Sequence, residues 1–113
     1  MKDYLFIFRA DWAGLPEATL EEQQARTQKW MDWINGIAAE NRLADRGNRL
    51  SQSGRVMGVN GTITDGPYAE IKETIGGYSV IKAESYEAAT RLASGCPVLK
   101  IGGTVEIREI SAM

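Results

Sequence analysis

The sequence predicts an α+β domain in which two helices cover one face of a four-stranded antiparallel sheet. Three observations predict it. Alternating apolar runs stand near both ends and in the second half of the chain. Between them lie two stretches whose apolar residues recur at helical spacing. An Asn-Gly pair between two further extended runs marks a hairpin.

Residues 3 to 9, DYLFIFR, form the first strand. Strand side chains alternate, so Tyr4, Phe6 and Phe8 share one face while Leu5 and Ile7 share the other. Both faces are apolar, so both call for cover. A loop, ADWAGLPEA, leads to a helix. Thr19 and Glu22 have the spacing of a capping box, and Trp30, Trp33, Ile34, Ile37 and Ala38 make one stripe. The helix ends near Glu40, with Asn41 as a left-handed cap. Residues 48 to 59 read as extended, with a break at Ser53-Gly54. Asn60-Gly61 turns the chain back through Thr62-Ile63-Thr64 into Asp65. GYSVIKA, 77 to 83, is a strand. Ser85 caps a second helix bearing Ala88, Ala89, Leu92 and Ala93, and Gly95 and Pro97 stop it. TVEIREI, 104 to 110, is the last strand.

The order is βαββαβ with an added β-hairpin, the split arrangement of a ferredoxin-like fold, in one domain spanning 1–113. Two helices cover one face of such a sheet. The second apolar face of the first strand then needs another partner. A second copy packed sheet to sheet, as a sandwich or barrel, is one answer. A large open ligand groove on that face is the other.

Apolar residues are 43% and charged residues 25% of the 113, as in an ordinary soluble domain. The net charge of -2 and the scattered Lys and Arg speak against nucleic acid as a partner. A single cysteine, Cys96, rules out a disulfide framework within the chain. No apolar run reaches 18 residues and no leader pattern is visible, so no membrane partner and a cytoplasmic location are expected. There is no histidine. That removes Ser-His-Asp and Cys-His catalysis and any His-ligated metal. Carboxylates alone could hold magnesium or calcium, but no spacing here matches a known loop, so neither metal nor cofactor is expected.

Asp65-Gly66-Pro67-Tyr68-Ala69-Glu70-Ile71-Lys72-Glu73, followed by Ile75-Gly76-Gly77-Tyr78, resembles the signature of the DGPF subgroup of YCII-related proteins, with Tyr68 in the Phe place. Gly95-Cys96-Pro97, Gly102-Gly103 and Val105-Glu106-Ile107-Arg108 resemble the family as well. The resemblance runs from about Trp30 onward. It implies a ferredoxin-like domain that pairs into a dimeric α/β barrel. Small-molecule chemistry through a His and an Asp is proposed for some members, and a chain without histidine cannot inherit it. Members are often encoded beside alternative sigma factors, which implies a signalling or stress context.

The charged segment has two readings. Gly66-Pro67 forces a turn that fixes the Asp65 carboxylate at a strand end. In the functional reading Asp65, Tyr68, Glu70, Lys72 and Glu73, with Arg49, hold a small polar organic molecule. Asp65 or Glu70 then moves a proton, and Lys72 balances an anion. In the structural reading Asp65 caps the turn, and Glu70, Lys72 and Glu73 form a salt-bridge cluster.

Gly76-Gly77 precedes a strand rather than a helix, which favours a bulge or close strand approach over a phosphate loop. Cys96 follows a helix and reads as a small buried residue. Trp30 and Trp33 read as core or interface. Arg9, Arg49 and Arg55 are the anion-binding candidates. Two function classes follow: a homodimer, enzyme-like or enzymatic, that binds a small polar molecule near residues 65–73, or a non-catalytic regulatory module that offers its acidic surface to another protein.

Overall fold

A computed structural model describes residues 1–66 and 73–112. The main sheet has the order β2-β5-β1-β6, and every neighbouring pair is antiparallel. Its strands are β1 (Lys2–Ala10), β2 (Leu43–Asp45), β5 (Thr74–Ala83) and β6 (Thr104–Glu109). Two helices, α1 (Leu20–Ala39) and α2 (Tyr86–Ala93), complete an α+β architecture compatible with a ferredoxin-like fold. β3 (Arg55–Met57) and β4 (Ile63–Asp65) form a separate two-stranded arm.

Both helices pack on one face. Tyr4, Phe6, Phe8 and Ala10 of β1 are buried there, with Ile81 and Ala83 of β5 and Ala89 and Ala93 of α2. α1 contributes Ile34 and Ile37 to this core, and Trp30 and Trp33 pack against it. Phe8 meets Trp30 edge to face at 4.9 Å and Trp33 at 5.8 Å. The Trp33 indole N–H donates to the Leu92 carbonyl at 3.0 Å, which ties α1 to α2. Each large side chain in this layer contributes about 1.5–3 kcal/mol by leaving water. Leu5, Ile7, Tyr78 and Val80 point to the opposite face and are half-buried.

Local chemistry sets the helix ends as the sequence indicates. The Thr19 hydroxyl accepts from the Glu22 amide at 3.1 Å, and the Glu22 carboxylate accepts from the Thr19 amide. At the other end Asn41 sits at φ 59. Its amide donates to the Ala38 carbonyl and that of Arg42 to the Ile37 carbonyl, which is a Schellman closure. Ser85 accepts from the Ala88 amide at 3.2 Å.

The second sheet strand lies elsewhere than expected. It is Leu43–Asp45, prolonged by an isolated bridge between Arg49 and Gly77, and not 48–59. Asp45 accepts from the Gly47 amide, and Gly47, at φ +74, lies so close to the Tyr78 carbonyl that a side chain has no room. This kink ends the regular pairing early. Further on, Ser51 accepts from the Ser53 amide and turns the chain away from the sheet edge. The hairpin therefore stands apart from the main sheet. Its tip is as expected: Asn60 and Gly61 both adopt positive φ, 59° and 75°. β5 also starts three residues earlier than expected, at Thr74.

The pair Gly76-Gly77 is where β1 and β5 slip register, between Phe8 and Arg9, leaving Gly76 as the extra residue. It is both a bulge and a close approach, because Gly77 packs on the Asn48 backbone. Cys96 is buried, as expected.

Candidate functional site

The arm leaves the sheet beside the end of β1, and a cleft opens at that junction. Gly54 and Gly66 flank the arm, and the Gly66 amide donates to the Gly54 carbonyl. Gly66 sits at φ +85, a conformation few other residues adopt. Directly inside this closure Arg55 and Asp65 face each other in register and form an ion pair. Arg55 is 73% and Asp65 84% exposed, so water surrounds the pair.

On the sheet side, Arg9 points to the face opposite the helices. Its Nε donates to Glu106 at 3.2 Å, and Glu106 also accepts from Arg108 at 3.3 Å. One carboxylate thus faces two guanidiniums. Between Arg9 and Arg55 lies an open cleft of about 330 Å³, lined also by Leu50, Ser51, Ser53, Glu73, Thr74 and Ile75. A hollow of about 520 Å³ shares its Ser53-Gly54-Arg55 wall and adds Asp65. Thr74 donates to Gln52 at 3.1 Å, and the Ser51 and Ser53 hydroxyls lie 2.7 Å apart. Two guanidiniums flanked by hydroxyls suit a carboxylate or phosphate, which guanidinium binds through paired N–H donors.

The structure brings some of the expected site residues together. Asp65 stands at the end of β4 on the hollow, and Glu73 lines the cleft. Arg49 does not line it. It bridges to Gly77, and the neighbouring Leu50 faces the cleft instead. Tyr68, Glu70 and Lys72 lie outside the described residues. Arg9 and Arg55, both anion candidates from sequence, share the cleft. Ser51, Ser53 and Thr74 were missed as site residues. The Ser-x-Ser-Gly spacing was visible, but it signals only a break in a strand until its position against β1 is known.

Other titrating groups lie away from the cleft. A hydrogen bond from Arg42 holds the Glu84 carboxyl below its ordinary range, beside Met1. Burial pushes the Cys96 thiol up to about 12, so it carries no thiolate at neutral pH. Among the described residues no group of three or more acidic or Cys side chains could hold a metal ion. Among them, too, no helix is long and apolar enough to cross a membrane.

The model of the YCII-related domain matches residues 12–113, nearly the whole chain. The chain belongs to the YCII-related family. The match begins well before Trp30, where the recognisable motifs begin, so the segment carrying Trp12 and α1 is part of the family pattern. No curated protein matches this YCII-related chain.

Proposed function

We propose that this YCII-related protein, of the DGPF type, binds a small organic anion in the cleft between Arg9 and Arg55. One observation carries the reading: two arginines from distant parts of the chain, Arg9 and Arg55, line one cleft with Ser51, Ser53 and Thr74. A carboxylate or phosphate group meets both charges, and Leu50 and Ile75 accept an apolar portion. Proton transfer by Asp65 is not part of the reading, because its carboxylate is 84% exposed and paired with Arg55. The working unit is a homodimer paired through the open sheet face. The half-buried Leu5, Ile7, Tyr78 and Val80 on that face support it.

A thermal-shift screen with malonate, citrate and inorganic phosphate tests the site. At a hundredfold excess over Kd a true ligand stabilises by about 2.7 kcal/mol. The rise in Tm is expected in the wild type and lost in Arg9→Ala and Arg55→Ala. A rise that both variants retain, or no rise with any anion, overturns the cleft as the site.

A further inference from the structure

The β3–β4 arm has no core of its own. An isolated two-stranded hairpin is at best marginally stable in water. Yet Met57, Val59 and Ile63 are 72%, 85% and 55% exposed. Met57 and Ile63 are register partners, so they share one face of the arm. Arg55 and Asp65, two positions along, lie on that same face. The radius of gyration is 15.5 Å, where about 13 Å is ordinary for a chain of this length. The arm is thus an apolar finger projecting into water.

A second apolar surface lies next to it. Arg9 and Ile75 belong to the sheet face opposite the helices, and they share the cleft with Arg55 of the arm. The open sheet face and the apolar arm face therefore run together around one cleft. The open face carries charges of both signs, with Asp3 opposite Lys82 and Arg9 beside Glu106. Such a surface can complement itself across a two-fold axis. Area favours the same occupant. Strands of nine, ten, six and three residues, at about 3.3 Å rise and 4.8 Å spacing, lay out on the order of 450 Å². A stable interface takes about 800 Å² from each partner. The sheet face alone falls short, and the adjoining arm supplies further apolar area.

We infer that the arm docks in trans: Met57, Val59 and Ile63 of each chain seat on a second copy lying over the open sheet face, and that copy roofs the Arg9–Arg55 cleft. The anion site is then incomplete in a single chain. The docking rests on the homodimer reading above, and its consequence for the ligand rests on the cleft reading as well.

Sedimentation equilibrium of the full chain tests it. The wild type is expected at twice 12.4 kDa. The triple variant Met57→Ser, Val59→Ser, Ile63→Ser is expected to dissociate at least tenfold more readily, with an unchanged far-ultraviolet spectrum. A wild type that sediments as one chain at tens of micromolar, or a triple variant that pairs as tightly as wild type, overturns the inference. Should the triple variant not fold, Val59→Asp alone at the arm tip decides by the same criterion. Malonate melting curves on the same samples separate the two ideas. A shift present in wild type and lost with pairing supports the shared site. A shift retained by the dissociated variant overturns the roof. No shift in wild type removes the cleft reading, while the masses still decide the docking.

Discussion

The indole of Trp12 occupies the space a side chain at Gly76 would need. A Cβ built on Gly76 would run into Cε2 of that ring, well inside van der Waals contact. The same ring donates from Nε1 to the Thr74 carbonyl at 2.9 Å. The loop after β1 is thereby fastened to the start of β5, beside the cleft. Gly76→Ala must displace a ring rather than a flexible chain end. Overpacking costs about 1–3 kcal/mol and the strained hydrogen bond about 1 more. Denaturant unfolding should show a loss of about 2–4 kcal/mol. A loss under 0.5 kcal/mol would mean that the ring moves freely.

Gly36 gives the opposite sign. It lies within α1, and a Cβ there meets nothing within 4 Å. The glycine costs helix stability through backbone freedom in the unfolded chain. Gly36→Ala should raise stability by about 0.5–1 kcal/mol, seen as a higher unfolding midpoint with an unchanged slope. A fall would show that this position is covered by something, and a second chain is the first candidate.

These two glycines show what the sequence could and could not reveal. The helices were legible because their signals are local: Thr19 with Glu22, Asn41 at the exit, Ser85 ahead of the second helix. The outer strands were legible by alternation, and Asn60-Gly61 by turn chemistry. The second sheet strand was not. Leu43–Asp45 is three residues long, and it is chosen by its fit against Ile81 and Val80 rather than by its own pattern. The longer extended run after it was the stronger local signal, yet the Ser51–Ser53 turn and the tight passage of Gly47 over Tyr78 divert it. The site suffered likewise. Arg9 and Arg55 stood out as cations, but their meeting depends on where the arm leaves the sheet. Arg49 was equally plausible by composition and faces elsewhere.

Cys96 should be silent to thiol reagents in the native protein. It is buried at 2% exposure, and burial raises its pKa from 9.0 to about 12. A folded-state pKa above the unfolded value means that the folded chain holds the proton more tightly. The associated stability is fully present below about pH 9 and is lost as pH rises through about 12. Tyr4 adds the same sign, because burial, and then Glu109, raise its phenol. Unfolding free energy should therefore decline above pH 9, by up to about 1.4 kcal/mol per pH unit from Cys96, and Tyr4 should steepen the decline above its ordinary value of 10.0. Cys96→Ala should reduce that slope while leaving the Tyr4 part. Rapid native-state labelling at pH 8 would contradict the burial.

Anion recognition at the cleft should depend on guanidinium geometry as well as charge. Arg9 spends its Nε on Glu106 at 3.2 Å. This contact holds the group from the sheet side, while Arg9 also lines the cleft. Lysine keeps the charge but is a point donor on a flexible stem. Arg9→Lys should therefore bind malonate nearly as poorly as Arg9→Ala, with a Kd raised roughly tenfold or more, for the loss of one charge-assisted bidentate contact of about 1.5–3 kcal/mol. Glu106→Gln separates orientation from charge. It frees Arg9 from its anchor while removing a competing anion. If anchoring dominates, binding weakens in this variant as well. If charge alone dominates, both Arg9→Lys and Glu106→Gln bind at least as well as wild type in isothermal titration, and the fork geometry is irrelevant. The anchored reading follows from the arrangement seen: Glu106 holds Arg9 from the sheet side, Arg108 shares the same carboxylate, and Arg55 stands across the cleft with a partner of its own in Asp65.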